Sequence, residues 1–347
     1  MPVRLMRNIA IFASFLALIV VLLGAWTRLK DAGLGCPDWP GCYGQLTVPS
    51  ETFHIEKAQR AFPDRKIEPE KAWAEMTHRY FASSLGFIIL LMAGLSILLK
   101  KRESNYSIKL PLMLLGLVIF QGMLGMWTVT MKLNPAIVSS HLLMGMTTFA
   151  LLVAWGFINH YKINPCNIGF GEAVKYQRIA VVGLIIVVLQ IAFGAWTSSN
   201  YAAMVCTQLP ICQGDWLANL RPLEAFQIWG HGADNYEYGV KSLEARTTIH
   251  VVHRLWAIVA LTAILKLSWS LRKSSSNVLK NFSNGLVMVV IIQFCLGVSN
   301  IVFHLPLEVA VAHNGGGAVL FASLVSLNIL LFIASNASKE QPGSVTL

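Results

Sequence analysis

The sequence predicts an all-α polytopic membrane protein, with eight transmembrane helices arranged as two pseudo-symmetric four-helix bundles. Three observations predict it. The 347 residues are 55% hydrophobic and only 13% charged, with a mean hydropathy of +0.59, against roughly 25% charge in an ordinary soluble chain. Eight apolar runs are each long enough for a bilayer core, which takes about 20 residues of helix. The second half of the chain also repeats the first. This composition excludes an ordinary soluble enzyme, a disordered chain and a coiled coil. The excess of 27 Lys and Arg over 17 Asp and Glu is scattered between the apolar runs, so the net charge of +10 reads as membrane topology. No nucleic-acid partner is expected.

The runs extend from Asn8 to Trp26, Trp73 to Leu99, Leu110 to Thr130, Ile137 to Ile158, Ile179 to Trp196, Thr248 to Leu271, Gly285 to Phe303 and Val309 to Ile333. Short loops rich in Lys and Arg stay on the cytoplasmic side. Lys100, Lys101, Arg102, Lys109, Lys162, Lys175, Arg178, Arg272, Lys273 and Lys280 fall between spans two and three, four and five, and six and seven, whereas the short loops between three and four and between seven and eight hold only Lys132. Both termini are therefore expected inside. Met1 to Arg7 is too short for a transit peptide and no small-residue cleavage site follows the first run, so that run reads as a retained span. The expected location is a bacterial plasma (inner) membrane, with the lipid bilayer itself as a partner.

The two long connections, Thr27 to Ala72 and Thr197 to Thr247, then face outward. They carry Cys36, Cys42, Cys206 and Cys212, while Cys166 falls in an inner loop and Cys295 within span seven. Cysteines confined in pairs to the outer side suit disulfides in an oxidising compartment; four free thiols are the plainer alternative.

Self-comparison exposes the repeat. Gly24-Ala25-Trp26-Thr27 returns as Gly194-Ala195-Trp196-Thr197, and at the same offset Cys36, Pro40, Cys42 and Gly44 return as Cys206, Pro210, Cys212 and Gly214. Gln121-Gly122-Met123-Leu124-Gly125 matches Gln293-Phe294-Cys295-Leu296-Gly297. The expected domains are residues 1–165 and 166–347, with the same topology in each half and an axis along the membrane normal. Each half is itself doubled, since every odd span ends near Gly24, Gly125, Gly194 or Gly297. Such glycines permit close helix approach, which is architecture.

Function enters with the histidines. His78, His141, His253 and His313 stand about one turn inside the outer ends of the four even spans. A lone intramembrane histidine is often a packing residue, but four at one depth, one per even span, point to a site. Zinc or copper would want further ligands; haem iron needs only two axial imidazoles, and an apolar bundle suits its ring. Each histidine is followed four residues later by Ala82, Gly145, Ala257 or Gly317, a cleared surface for a flat macrocycle. Arg79 and Arg254, directly after His78 and His253, either pair with haem propionates or snorkel to water. The halves differ at one position: Glu75 precedes His78 by three residues, where His250 precedes His253. A carboxylate beside a macrocycle can act as acid, base, nucleophile or cation stabiliser, so the N-terminal half is expected to transform something; a solvated first-turn residue is the alternative.

Together, the duplicated four-helix unit, Glu75-x-x-His78-Arg79, His141, His253-Arg254, His313 and the outer cysteine pairs resemble the haem A synthase (CtaA/Cox15) family over nearly the whole chain. The resemblance implies an oxidoreductase acting on a CH group, which converts the C8 methyl of haem O to a formyl group to give haem A for terminal oxidases. It implies that His253 and His313 ligate a haem b cofactor, that His78 and His141 border the haem O site, that Glu75 is essential to the chemistry, and that Cys36 with Cys42 and Cys206 with Cys212 form disulfides. It also implies a haem O synthase (protohaem IX farnesyltransferase) as supplier, an unidentified electron-transfer partner and the cytochrome oxidase assembly machinery. His250, one turn from His253, leaves the ligand in span six open. His54, His160, His231 and His304 carry no assigned role. The competing readings are a di-haem cytochrome b that only carries electrons, and a haem transporter or chaperone.

Overall fold

The computed structural model describes residues 2–103, 106–163, 168–230 and 232–340. Cys166, the expected domain boundary and His231 lie outside them. The described residues form ten helices and no strand: α1 (Pro2–Leu29), α2 (Thr52–Ala61), α3 (Pro69–Arg102), α4 (Lys109–Thr130), α5 (Pro135–Ile163), α6 (Phe170–Ser199), α7 (Pro222–Ala225), α8 (Leu243–Leu271), α9 (Asn277–Val302) and α10 (Leu307–Glu340). All except α2 and α7 are long and apolar enough to span a membrane. The spanning helices outrun the apolar runs because their polar flanks also turn helically. Pro69, with its φ already set, opens α3 ahead of Trp73, and α6 begins nine residues before Ile179. The short helices α2 and α7, both in the outer connections, have no hydrophobic run to announce them.

Helices α1, α3, α4 and α5 touch in a closed ring, and α6, α8, α9 and α10 touch in another. Within each ring the diagonals stay apart: among the described residues α3 does not approach α5, nor α8 approach α10. The rings meet where α10 packs on α1 and α5, and α5 on α6. More than half of the apolar stretch of α10 is buried inside the protein (56%), against 11% for α9, so α10 is the central post and α9 presents its sides to lipid. Small residues make the close approaches possible. Ala10, Ala13 and Ala17 on α1 share a buried cluster with Phe149, Leu152 and Trp155 on α5, and Gly183 on α6 receives Leu267 and Ile264 of α8.

Polar contacts tie both ends. At the lysine-rich end, the Glu172 carboxylate accepts from the Ser275 backbone N–H at 2.8 Å and from both the Ser274 and Ser275 hydroxyls, joining α6 to the α8–α9 connection. At the cysteine-bearing end, Arg28 of α1 donates to the Ser198 carbonyl at 2.6 Å and stacks over the Tyr201 ring. The Tyr236 backbone N–H donates to the Lys132 carbonyl, and Arg65 pairs with Glu237 at 3.6 Å. The two long connections are thus clasped across the halves. Left-handed residues end the odd spans in matched positions, Asp31 with Tyr201 and Lys132-Leu133 with His304-Leu305; His304 is a turn residue.

Candidate functional site

In all four odd spans the repeated glycine lies five residues before the last helical residue. Each faces the histidine of the next span. A Cβ built on Gly24, Gly194 or Gly297 would stand 3.0, 3.1 and 3.1 Å from Cε1 of His78, His253 and His313, and one on Gly125 would stand 3.5 Å from that of His141. The glycines therefore make room for imidazoles, a duty beyond the helix approach expected of them. The histidines sit six to ten residues past the first residue of α3, α5, α8 and α10. That is deeper than the single turn expected, because each helix starts before its apolar run does.

Across the open diagonal of the first ring, the His78 and His141 rings have centroids 6.4 Å apart and planes 86° to one another. His253 and His313 occupy the same diagonal of the second ring and lie within electrostatic reach of each other. In every case the imidazole reaches toward the backbone carbonyl four residues before the glycine: Val20, Gln121, Gln190 and Gln293. Nδ1 of His78, His141 and His313 is buried with no hydrogen bond of good geometry.

These observations fit haem. Among the described residues no three His, Cys, Asp or Glu side chains cluster as a metal cage would need. Two imidazoles on one iron place their ring centres roughly 6 Å apart, counting two metal–nitrogen bonds of about 2 Å and the radius of each ring. The His78–His141 separation meets that requirement.

Glu75 is buried. Its Oε2 accepts from the Cys36 backbone N–H at 2.8 Å, and its other oxygen is paired with Arg79. It is no solvated first-turn residue. Arg79 also donates to the carbonyls of Asp38, Pro40 and Gly41. Arg254 does the same in the other half, bonding the carbonyls of Cys206, Gln208 and Ile211, and its Nε donates to Nε2 of His250 at 3.1 Å. Both guanidiniums thus stay within the protein and clamp a cysteine-bearing loop, rather than snorkelling. Each clamped loop is closed by a disulfide, Cys36–Cys42 and Cys206–Cys212. His250 takes the place of Glu75 as the arginine's partner, while His253 faces Gly194 as the other three histidines face their glycines.

Two sequence readings change. Gly145 and Gly317 do not clear a surface for a macrocycle: their open side is taken by the side-chain amides of Gln121 and Gln293, which donate to the carbonyls of His141 and His313 at 3.0 and 2.8 Å. The glutamines themselves were visible only as repeat markers. Gln190, whose side-chain amide lies 3.2 Å from Nδ1 of His253, has no counterpart in the quoted repeats, although it stands four residues before Gly194 as Gln121 and Gln293 stand before theirs.

The family model described as cytochrome oxidase assembly protein (COX15-CtaA) matches residues 7–325. The chain belongs to this family. Among relatives of the COX15-CtaA family, a protein of Shewanella oneidensis named heme A synthase is 45% identical over 93% of this chain and 96% of its own length. Proteins of the same name from Wolbachia pipientis and Caulobacter vibrioides are 28% and 26% identical, over 89% and 91% of this chain and 92% and 94% of their own lengths.

Proposed function

We propose that this COX15-CtaA member is a haem A synthase, an oxidoreductase that converts the C8 methyl of haem O to the formyl group of haem A. The observation that carries the reading is the pair of opposed imidazoles, His78 and His141, beneath a buried carboxylate, Glu75, that the other half replaces with His250. The N-terminal ring takes the substrate, which His78 and His141 would hold. Glu75, both of whose oxygens are held, moves protons or stabilises positive charge that develops at the methyl carbon. His253 and His313 hold haem b. A bis-imidazole haem supplies one-electron transfer when bound. Arg79 and Arg254 keep the disulfide loops closed over the two sites, and the donors they do not spend there are available to propionates.

Both histidine pairs stand at the end carrying the disulfides, which speaks against a carrier moving electrons from one face to the other. The end with the lysine-rich loops is assigned to the cytoplasm of a bacterial inner membrane, together with both termini. A haem O synthase supplies the substrate, an electron-transfer partner removes electrons, and the oxidase assembly machinery receives the product.

The test is haem extraction and chromatography from cells making a haem O synthase with or without this chain. Haem A accumulating only with the chain is expected; unchanged haem O overturns the reading. Glu75→Gln should keep the cofactor spectrum and lose haem A.

A further inference from the structure

Four equivalent positions, each four residues before the repeated glycine, bear on the four imidazoles. Three are Gln121, Gln190 and Gln293, and the fourth is Val20. The glutamines do not share one task. Gln121 and Gln293 reach the backbone carbonyls of His141 and His313 and fix helices α5 and α10. Gln190 alone turns its amide to a ring, 3.2 Å from Nδ1 of His253. Its Oε1 is buried and unpartnered, as are those of Gln121 and Gln293. The atom facing Nδ1 is the amide nitrogen; when iron is bound through Nε2 the imidazole must carry its proton on Nδ1, and the amide, turned end for end, then presents its oxygen to accept it. His78 has Val20 in that place, which offers its imidazole a backbone carbonyl but no side-chain amide.

We propose that Gln190 is the positioning residue that makes the C-terminal site a permanent holder of haem, and that Val20 in its place makes the N-terminal site one that lets go. This rests on the haem assignment above and adds a second difference between the halves, independent of Glu75. An acceptor on Nδ1 locks the ring and makes Nε2 more basic, which favours ferric iron and slows ligand loss. A valine side chain adds nothing to the backbone carbonyl that both positions offer. A site that must exchange substrate for product each turnover is served by the looser imidazole; a resident cofactor is served by the tighter one.

The test uses the full-length protein purified in detergent, with haem per chain and the midpoint potential of each low-spin component as readouts. Gln190→Val should lose C-terminal haem about tenfold faster and raise its potential. Gln190→Glu, which keeps an acceptor, should restore retention and lower the potential. Val20→Gln should raise N-terminal haem retention and lower that site's potential. If Gln190→Val and Gln190→Glu both match wild type while His253→Leu abolishes the C-terminal signal, the role of Gln190 is wrong and the ligand assignment stands. If His253→Leu leaves that signal intact, the assignment falls and the proposal falls with it.

Discussion

The imidazole of His78 rests against the bare Cα of Gly24, so close that a methyl group there would lie 3.0 Å from Cε1. Gly24→Ala, Gly194→Ala and Gly297→Ala should each displace a ring by a few tenths of an ångström and reduce haem per chain in reduced-minus-oxidised spectra. Gly125→Ala, whose methyl would stand 3.5 Å from His141 Cε1 in ordinary van der Waals contact, should be close to silent. Alanine favours helix by about 1 kcal/mol over glycine, so a loss of haem with the chain still folded reports the ring and not the helix.

Glu75 and Arg79 form an ion pair on adjoining turns of α3, with side chains 7% and 12% exposed. Removing one partner of a buried pair leaves a charge without its counterion and costs about 3–5 kcal/mol. Arg79→Gln should therefore lower the detergent-solubilised melting temperature more than Glu75→Gln/Arg79→Gln does. Equal melting temperatures for the two would mean that loop capping, and not the pair, is the arginine's contribution.

The second long connection should loosen in acid. The Glu224 carboxylate accepts from the Ser242 backbone N–H and hydroxyl, both at 2.9 Å, and these bonds hold it below the usual carboxylate range. A group whose folded value is depressed contributes stability that is complete above the unfolded value and is lost as pH falls through the folded one. Limited proteolysis between α6 and α8 should accelerate over that interval. Glu224→Gln should be cut at a rate that no longer responds to pH there.

Reductants should distinguish the two disulfides. Cys36 and Cys42 are wholly buried, whereas Cys212 is partly exposed. Exchange requires a thiolate to reach a sulfur, so brief reduction followed by alkylation should label Cys206 and Cys212 before Cys36 and Cys42. Simultaneous labelling would show that the first loop opens as readily as the second.

The eight spans and the four histidines were legible because hydropathy marks bilayer-length helices and a duplication displays its own template. Glu75 stood out for the same reason, as the residue that breaks the copy at His250. What remained hidden depends on contacts between helices. Gly24 looks like a packing glycine until His78 is found against it, Gly145 looks like open space until Gln121 is found filling it, and His250 competes with His253 until Arg254 claims it. The helices α2 and α7 were hidden for another reason: they are too short and polar to carry a periodic signal.

The open diagonals have one more consequence. Each ring of four helices is an open frame touching along its sides, with imidazoles reaching across the gap, His78 toward His141 and His253 toward His313. A bond joining each pair through a shared centre would brace the frame as a crosspiece squares a gate. The stiffness of each ring would then depend on what its paired imidazoles hold.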